Sequence, residues 1–200
     1  MSDHITVAID GMGGDNAPSM IVSGIGIAAK SNPDVKFLLF GDERRVLPLL
    51  ERYPMAKAVC ETRHTTDFVT NDDKPTAALR GAKNSSMRLA INAVADGEAT
   101  AVVSAGNTGA LMAIATIVLK TLPGISRPAI ASSFPTQSGD SVMLDLGANV
   151  ECDANNLVQF AVMGQVYARN ELGLKQPSIG ILNVGVEGLK GNDSVKEAAN

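Results

Sequence analysis

The sequence predicts an α/β fold in which helices cover both faces of a mainly parallel sheet. Five short apolar runs recur along the 200 residues, and each ends in a polar segment that contains glycine. The runs are continuously apolar rather than alternating, which is typical of strands buried on both faces. Stretches with helical periodicity separate the runs, so the order is strand, loop and helix, repeated. This pattern favours a three-layer α/β/α sandwich.

The five strands are expected where the apolar runs meet glycine. In chain order they lie within ITVAIDGMGGD, VKFLLFGDE, TAVVSAGNTG, SVMLDLGANV and SIGILNVGVEG. The most polar connector, residues 63–76, is expected to be a mobile surface loop.

The helices between them have recognisable starts and faces. Asp15 or Asn16 is placed to cap the first helix, with Pro18 in its first turn. A single helix is predicted over 75–96, because small residues recur at a spacing of three to four and Gly97 follows. The stretch 154–172 is apolar on two sides, which predicts a helix buried twice, within the domain or against a second subunit, and favours a homodimer.

Composition excludes several classes of function. The formal net charge is −4 and aromatic residues make up 4% of the chain, which argues against a nucleic-acid partner. The start of the chain lacks the pattern of a signal peptide, and its two cysteines, Cys60 and Cys152, lie far apart. The longest apolar run is too short to span a bilayer. We therefore expect a cytoplasmic protein.

Polar side chains stand where four of the predicted strands end. These residues are Asp10, Ser104, Asp145 and Asn183. Because ligands of open α/β sheets bind at the carboxyl ends of the strands, the four residues are expected to converge on one site. The alternative is that each side chain only caps its own loop.

Glycines and one lysine indicate that such a site would bind an anion. The glycines of the strand-end loops let backbone N–H groups approach a ligand closely, and they are Gly106, Gly109, Gly147, Gly185, Gly188 and Gly191. Lys190 is placed to neutralise a phosphate or an oxyanion, or else is an ordinary solvated lysine. Neither a P-loop nor a dinucleotide fingerprint is present, since GMGGDNAP has the wrong spacing.

The sequence contains no pattern of a protein nucleophile or of a metal site. Ser104 is not in a G-x-S-x-G motif, the chain has only two histidines, and no metal-ligand spacing occurs. We therefore expect no metal and no cofactor. Transfer to phosphate fits, because phosphate is itself the attacking group and the protein needs only to position it and stabilise the oxyanion.

Six segments, spread over almost the whole chain, resemble the bacterial phosphate acyltransferase family of phospholipid synthesis. They are AIDGMGGDNAPSMIV (8–22), ALRGAKNSSMRLA (78–90), VSAGNTGALMA (103–113), PGISRPAI (123–130), MLDLGANVECDANNLVQFAVMG (143–164) and ILNVGVEGLKGND (181–193). One departure is Val186, which stands between Gly185 and Glu187 where the family has a second acidic residue.

The resemblance implies transfer of a fatty acyl group from acyl carrier protein to inorganic phosphate, which gives acyl phosphate. It also implies a fold like that of isocitrate and isopropylmalate dehydrogenases, a homodimer, and a cytoplasmic protein loosely attached to the membrane. The family continues beyond residue 200 with a further glycine-rich loop of the same site. We therefore expect residues 1–200 to form a single α/β domain from the N-terminal part of a longer chain.

Under this resemblance the candidate residues take specific roles. The acyl carbonyl is expected near Ser104, Asn107 and Thr108, and phosphate near loop N–H groups, Lys190 and Asn183. Asp10, Asp145 and Asn149 would fix the loops or bond to phosphate hydroxyls. Of these, Lys190, Asn183 and Asp145 are the expected catalytic residues. Further substrate contacts are expected from Gly13, Gly14, Asp15, Gly106 and Gly191.

The sequence also offers basic residues for a partner and leaves two alternative functions open. Because acyl carrier protein is acidic, Arg80, Lys83 and Arg88 are its expected docking residues. One rival is a phosphate acetyl- or butyryltransferase that uses acyl-CoA. The other is a non-catalytic module that binds a phosphate-bearing ligand.

Overall fold

The computed structural model of the protein describes residues 5–137, 139–185, 187 and 190–200. It forms two compact units, Met1–Lys120 and Thr121–Asn200. That residues 1–200 form a single domain stays a prediction.

The first unit is built on a parallel sheet. Its strands are β1 (Thr6–Asp10), β2 (Lys36–Gly41), β3 (Cys60–His64) and β4 (Ala101–Val103). They lie in the order β3-β2-β1-β4, and every neighbouring pair is parallel. The strand β3 was not expected, because it is an edge strand of sequence CETRH whose polar side chains are partly exposed.

Helices cover both faces of this sheet. They are α1 (Ser19–Ser31), α2 (Glu43–Leu50), α3 (Pro54–Val59), α4 (Pro75–Gly81), α5 (Ser86–Ala95) and α6 (Thr108–Val118). Side chains of a strand alternate between faces, so Leu39 packs among α1, α2 and α3, whereas Leu38 and Phe40 pack against α5. Residues of α4, α5 and α6 form a further cluster around Met87 and Ile114. The predicted three-layer α/β arrangement with a mainly parallel sheet is confirmed.

The single helix predicted over 75–96 is wrong. The structure has two helices, α4 and α5, separated by residues 82–85. Ser85 causes the break, because its Oγ donates to the carbonyl of Ala82 at 2.8 Å and accepts from the backbone N–H of Arg88 at 3.3 Å. A serine that bonds to the backbone in this way caps a new helix rather than continuing the old one.

The second unit contains a β-hairpin and two helices. Strands β5 (Ser132–Thr136) and β6 (Gly139–Met143) are antiparallel, and the helices are α7 (Ala154–Glu171) and α8 (Asp193–Ala198). The strand expected within SVMLDLGANV is therefore β6 of a hairpin, not a member of the parallel sheet. The described residues of SIGILNVGVEG form no strand, which corrects the fifth predicted strand.

Helix α7 has the two faces that its sequence suggested. Phe160 and Ala168 are buried within the unit. Val158, Val162 and Val166 are each about half exposed on another side. None of the helices formed by the described residues is long and apolar enough to cross a membrane.

Candidate functional site

The first unit has a point where the direction of its strand order reverses. From β1 the chain moves outward to β2 and β3, and then returns to place β4 on the opposite side of β1. In open α/β sheets, ligands bind at such a point, beside the carboxyl ends of the strands. The predicted residues Asp10 and Ser104 lie at the ends of β1 and β4, so the structure brings this pair together here.

Asp10 is the centre of a buried hydrogen-bond network. Its side chain is 1% exposed. Oδ2 accepts from the hydroxyl of Ser104 at 2.7 Å, and Oδ1 accepts from the hydroxyl of Ser86 at 2.5 Å and from the N–H of Met12 at 3.3 Å. The Ser104 oxygen accepts in turn from the N–H of Gly106 at 3.1 Å. Asp10 therefore fixes two loops and the start of α5, the first of the two roles expected for it.

The two strand-end loops approach each other so closely that glycine is required. A Cβ atom on Gly13 would lie against the Asp10 carboxylate and 3.0 Å from the nitrogen of Gly106. Gly14 has φ +97°, and a Cβ atom there would lie 2.8 Å from the carbonyl oxygen of Ala105. Both glycines thus allow the contact between the β1 and β4 loops.

Asn107 uses both ends of its side-chain amide inside the protein. Oδ1 accepts from the N–H of Ala110 at 2.9 Å and caps α6. Nδ2 lies 3.2, 3.1 and 2.9 Å from the carbonyl oxygens of Thr70, Asn71 and Asp73. These contacts hold a neighbouring segment, whereas the residue was expected to bind an acyl carbonyl.

The segment held by Asn107 is the core of the loop that was expected to be mobile. We call residues 65–74 the 65–74 connector. Asn71 Nδ2 donates to Asp15 Oδ1 at 2.7 Å, and the Thr65 hydroxyl donates to the carbonyl of Asn84 at 2.6 Å. Val69 is 4% exposed. The connector is therefore tied to the structure at several points, and Asp15 makes one of these ties.

Thr108 is a predicted residue of the first unit whose side chain is able to touch a ligand. It is exposed, and its hydroxyl has no hydrogen-bond partner within the described part of the chain. It is also the first residue of α6, where backbone N–H groups have no partner inside the helix. This helix end favours an anion.

In the second unit, Asp145 holds a tight turn together. Oδ1 accepts from the N–H groups of Ile130 at 2.8 Å and Ala148 at 3.2 Å. Oδ2 accepts from the N–H and the side-chain amide of Asn149 at 2.7 and 3.0 Å. Partial burial of the carboxyl would raise its pKa, but these hydrogen bonds outweigh that effect and hold the pKa of Asp145 below its ordinary value.

Asn149 extends this turn to a neighbouring segment. Its Nδ2 donates to the carbonyl of Pro128 at 2.9 Å as well as to Asp145. Both residues are half buried. Their contacts are those of residues that fix a loop.

Asn183, Lys190 and Gly191 lie close together in the second unit. Asn183 Nδ2 donates to the carbonyl of Lys190 at 3.3 Å, and Gly191 has φ +90° with the Asn183 amide beside it. Lys190 is exposed, and its ammonium forms no salt bridge with any residue that the structure describes. It is therefore free to bind an anion. Val186 and Gly188, which the sequence singled out, lie outside the described residues.

The three expected docking residues differ in exposure. Arg80 at the end of α4 and Lys83 after it are exposed. Arg88 is half buried, and its Nε donates to Asn92 Oδ1 at 3.1 Å. The break between α4 and α5 means that the three do not lie along one helix.

Sequence reasoning missed Ser86 and Asn71. Ser86 is fully buried and bonds to Asp10, and Asn71 joins the connector to Asp15. Two adjacent serines before an apolar run are a sign of a helix start, which could have drawn attention to Ser86. Within the described ranges, no group of three or more His, Cys, Asp or Glu could hold a metal ion.

Comparison with solved structures bears on the fold. The chain is similar to the EutD phosphotransacetylase from Staphylococcus aureus with a TM-score of 0.65 and 18% sequence identity, over 98% of this chain and 62% of that one. At this identity the similarity shows a shared fold. The likeness to isocitrate and isopropylmalate dehydrogenases stays a prediction.

Comparison of sequences identifies the family. The chain is 62% identical over 199 residues to the phosphate acyltransferase of Rhodospirillum centenum, and 57% identical to that of Paramagnetospirillum magneticum. These matches cover all of this chain and 56% and 57% of the two relatives, so it spans about half of their length. The model of the fatty acid synthesis protein family matches residues 5–200. Since this match includes nearly every residue, the chain belongs to the fatty acid synthesis protein family.

Proposed function

We propose that this chain carries the first part of a phosphate acyltransferase, which moves a fatty acyl group from acyl carrier protein to inorganic phosphate for phospholipid synthesis. The observation that carries the proposal is the 62% identity to a phosphate acyltransferase along the entire chain. The start of α6 beside the reversal of the strand order supports it, because its N–H groups and the exposed hydroxyl of Thr108 are donors for an anion.

The reaction needs no covalent enzyme intermediate. An oxygen of phosphate attacks the carbonyl carbon of the acyl thioester, and a tetrahedral oxyanion forms. A new C–O bond remains when the C–S bond breaks, and the carrier thiolate leaves and takes up a proton from solvent. Preorganised N–H groups, hydroxyls and cations accelerate this step by stabilising the oxyanion and by holding the two reactants together.

The described residues divide between contact and support. Thr108 and the N-terminus of α6 supply donors for an anion in the first unit, and the unpaired ammonium of Lys190 supplies a cation in the second. Asp10 and Asp145 support loops, because donors of the protein itself occupy both oxygens of each carboxylate. Asn183 fixes the backbone beside Lys190.

The proposed partners follow from the same function. An acidic carrier protein would contact the exposed Arg80 and Lys83, with a smaller contribution from the half-buried Arg88. A second copy of the chain would cover the exposed face of α7 around Val162, giving a homodimer. The protein is proposed to be cytoplasmic with peripheral attachment to the membrane.

Trapping of acyl phosphate by hydroxylamine tests the function. Chain, phosphate and either acyl-[acyl carrier protein] or acyl-CoA are incubated, and the hydroxamate is measured; the Rhodospirillum centenum enzyme serves as positive control. Hydroxamate from the carrier-bound donor alone supports the proposal. Product from acyl-CoA alone indicates the acetyl- or butyryltransferase, and phosphate binding without product indicates a binding module.

Replacement of Lys190 tests the proposed cation. We expect Lys190→Ala to raise the KM for phosphate or lower kcat by about tenfold or more, since a charged hydrogen bond contributes about 1.5–3 kcal/mol. Lys175→Ala is the matched control, because Lys175 is also an exposed lysine of the same unit. Equal kinetics for both variants would remove Lys190 from the mechanism.

A further inference from the structure

We propose that Ser86 is a positioning residue of the strand-end site, acting through Asp10 on Ser104 and on the turn that leads into α6. The proposal rests on the proposed function, because it concerns the binding of phosphate at that site. It deepens that function by adding a residue that does not touch the ligand.

The first step is the contact between Ser86 and Asp10. Both side chains are almost completely buried, with exposures of 0% and 1%. The Ser86 hydroxyl donates to Asp10 Oδ1 at 2.5 Å. The only other described donor to that oxygen is the N–H of Met12, at the longer distance of 3.3 Å. Ser86 is therefore the main restraint on this side of the carboxylate.

The second step is the transfer of this restraint to Ser104. Asp10 Oδ2 accepts from the Ser104 hydroxyl at 2.7 Å. Because a hydroxyl has one proton, the Ser104 oxygen then has only lone pairs for its other neighbours. One of these accepts the N–H of Gly106 at 3.1 Å. The orientation of the carboxylate thus sets the conformation of residues 104–106.

The third step is the effect on the start of α6. Gly106 precedes the capping residue Asn107 and the exposed Thr108 by one and two positions. Gly13 lies against both the Asp10 carboxylate and Gly106, so a change at the carboxylate is passed on to this turn. A loss of the Ser86 hydroxyl is therefore expected to loosen the donors at α6, although Ser86 itself is at the start of α5.

Ser85 provides a matched control. It is also fully buried and stands at the same end of α5, but its hydroxyl bonds to Ala82 and Arg88 instead of Asp10. Removal of either hydroxyl costs hydrogen bonds at the start of the helix. Only the Ser86 change reaches the carboxylate.

The experiment compares Ser86→Ala, Ser85→Ala, Ser104→Ala and the double variant of Ser86 and Ser104. We expect Ser86→Ala to raise the KM for phosphate about tenfold with a smaller change in kcat, and Ser85→Ala to change KM less than about twofold. Since both serines act through one carboxylate, the double variant is expected to raise KM about tenfold, not about a hundredfold. Equal effects of Ser86→Ala and Ser85→Ala, or additivity in the cycle, would overturn the proposal.

Calorimetric binding of inorganic phosphate separates this proposal from the proposed function. If the chain binds phosphate but forms no acyl phosphate, the proposed function is wrong. The ratios of variant to wild type given above for KM are then expected in the Kd for phosphate. If the wild-type chain binds no phosphate, both proposals fail. Thermal unfolding shows whether Ser86→Ala is folded. If it is not, Ser104→Ala is measured instead, and we expect the same rise in the KM or Kd for phosphate. An unchanged KM or Kd in Ser104→Ala would refute the link from Asp10 through Ser104 to the turn before α6.

Discussion

Asn107 combines two roles that substitution can separate. Its Oδ1 caps α6, and its Nδ2 faces the carbonyl oxygens of Thr70, Asn71 and Asp73. Asn107→Ser keeps a capping oxygen but removes the donor. Asn107→Asp also keeps the cap, but it replaces Nδ2 by a second carboxylate oxygen. This oxygen would face the three carbonyl oxygens of the 65–74 connector.

The hydrogen bonds set the size of the expected effects. An amide group has two N–H protons, so it satisfies at most two of the three carbonyls well at one time. At about 1 kcal/mol net for each bond, Asn107→Ser should lower the free energy of opening the 65–74 connector by about 1–2 kcal/mol. Asn107→Asp should lower it further through repulsion between oxygens, even though a carboxylate is favourable at a helix N-terminus.

Hydrogen exchange of peptides from the 65–74 connector measures this opening directly. A loss of about 1.4 kcal/mol speeds exchange about tenfold, so Asn107→Ser should accelerate it about 5- to 30-fold and Asn107→Asp more than that. Asn192, which caps α8 through Oδ1, is the control because its Nδ2 has no partner among the described residues. Asn192→Asp should leave exchange in α8 nearly unchanged. Wild-type exchange in Asn107→Asp would refute the assigned tie.

Two further predictions concern cysteine chemistry and backbone strain. Burial raises the pKa of Cys60 to about 12, and burial together with the charge of Asp145 raises the pKa of Cys152. Both thiols should therefore stay protonated and react slowly with iodoacetamide at pH 8, and Cys60 should react more slowly than Cys152. Both should react readily once the protein is unfolded in urea. Rapid labelling of Cys60 in the native protein would contradict its burial. Lys120 follows α6 with φ +63°, a conformation that suits glycine. We expect Lys120→Gly to raise the free energy of unfolding by up to about 1 kcal/mol in urea titrations, whereas a loss of stability would show that the strain is absent.

The parallel sheet of the first unit was predictable because its central strands carry the expected signal. β1 and β2 are buried on both faces, and their apolar runs are unbroken. The edge strand β3 has no such run, since three of its five residues are exposed and its packing against the core is made through Cys60. The same reasoning failed for SVMLDLGANV, because an apolar run does not specify whether its partner strand is parallel or antiparallel.

The contact between Asp10 and Ser104 was predictable, but the residues around it were not. Position in the sequence indicated that Asp10 and Ser104 would meet, because parallel strands end at the same edge. It did not indicate Ser86, which comes from a helix start about twenty residues before Ser104 and becomes a neighbour only in three dimensions. The start of α5 exists because the chain breaks between α4 and α5. This break depends on Ser85, whose capping hydrogen bonds compete with continuation of α4.

Burial also explains how an acidic residue can stand beside a proposed phosphate site. A carboxylate that faced the ligand would repel phosphate, as Coulomb's law requires. At Asp10 the protons of Ser86 and Ser104 are directed at the two oxygens, and the residue is withdrawn from solvent. The charge of the carboxylate is therefore satisfied by donors of the protein itself. At Asp145, backbone N–H groups and the Asn149 amide supply the donors, so the contacts of both carboxylates are those of residues that fix loops.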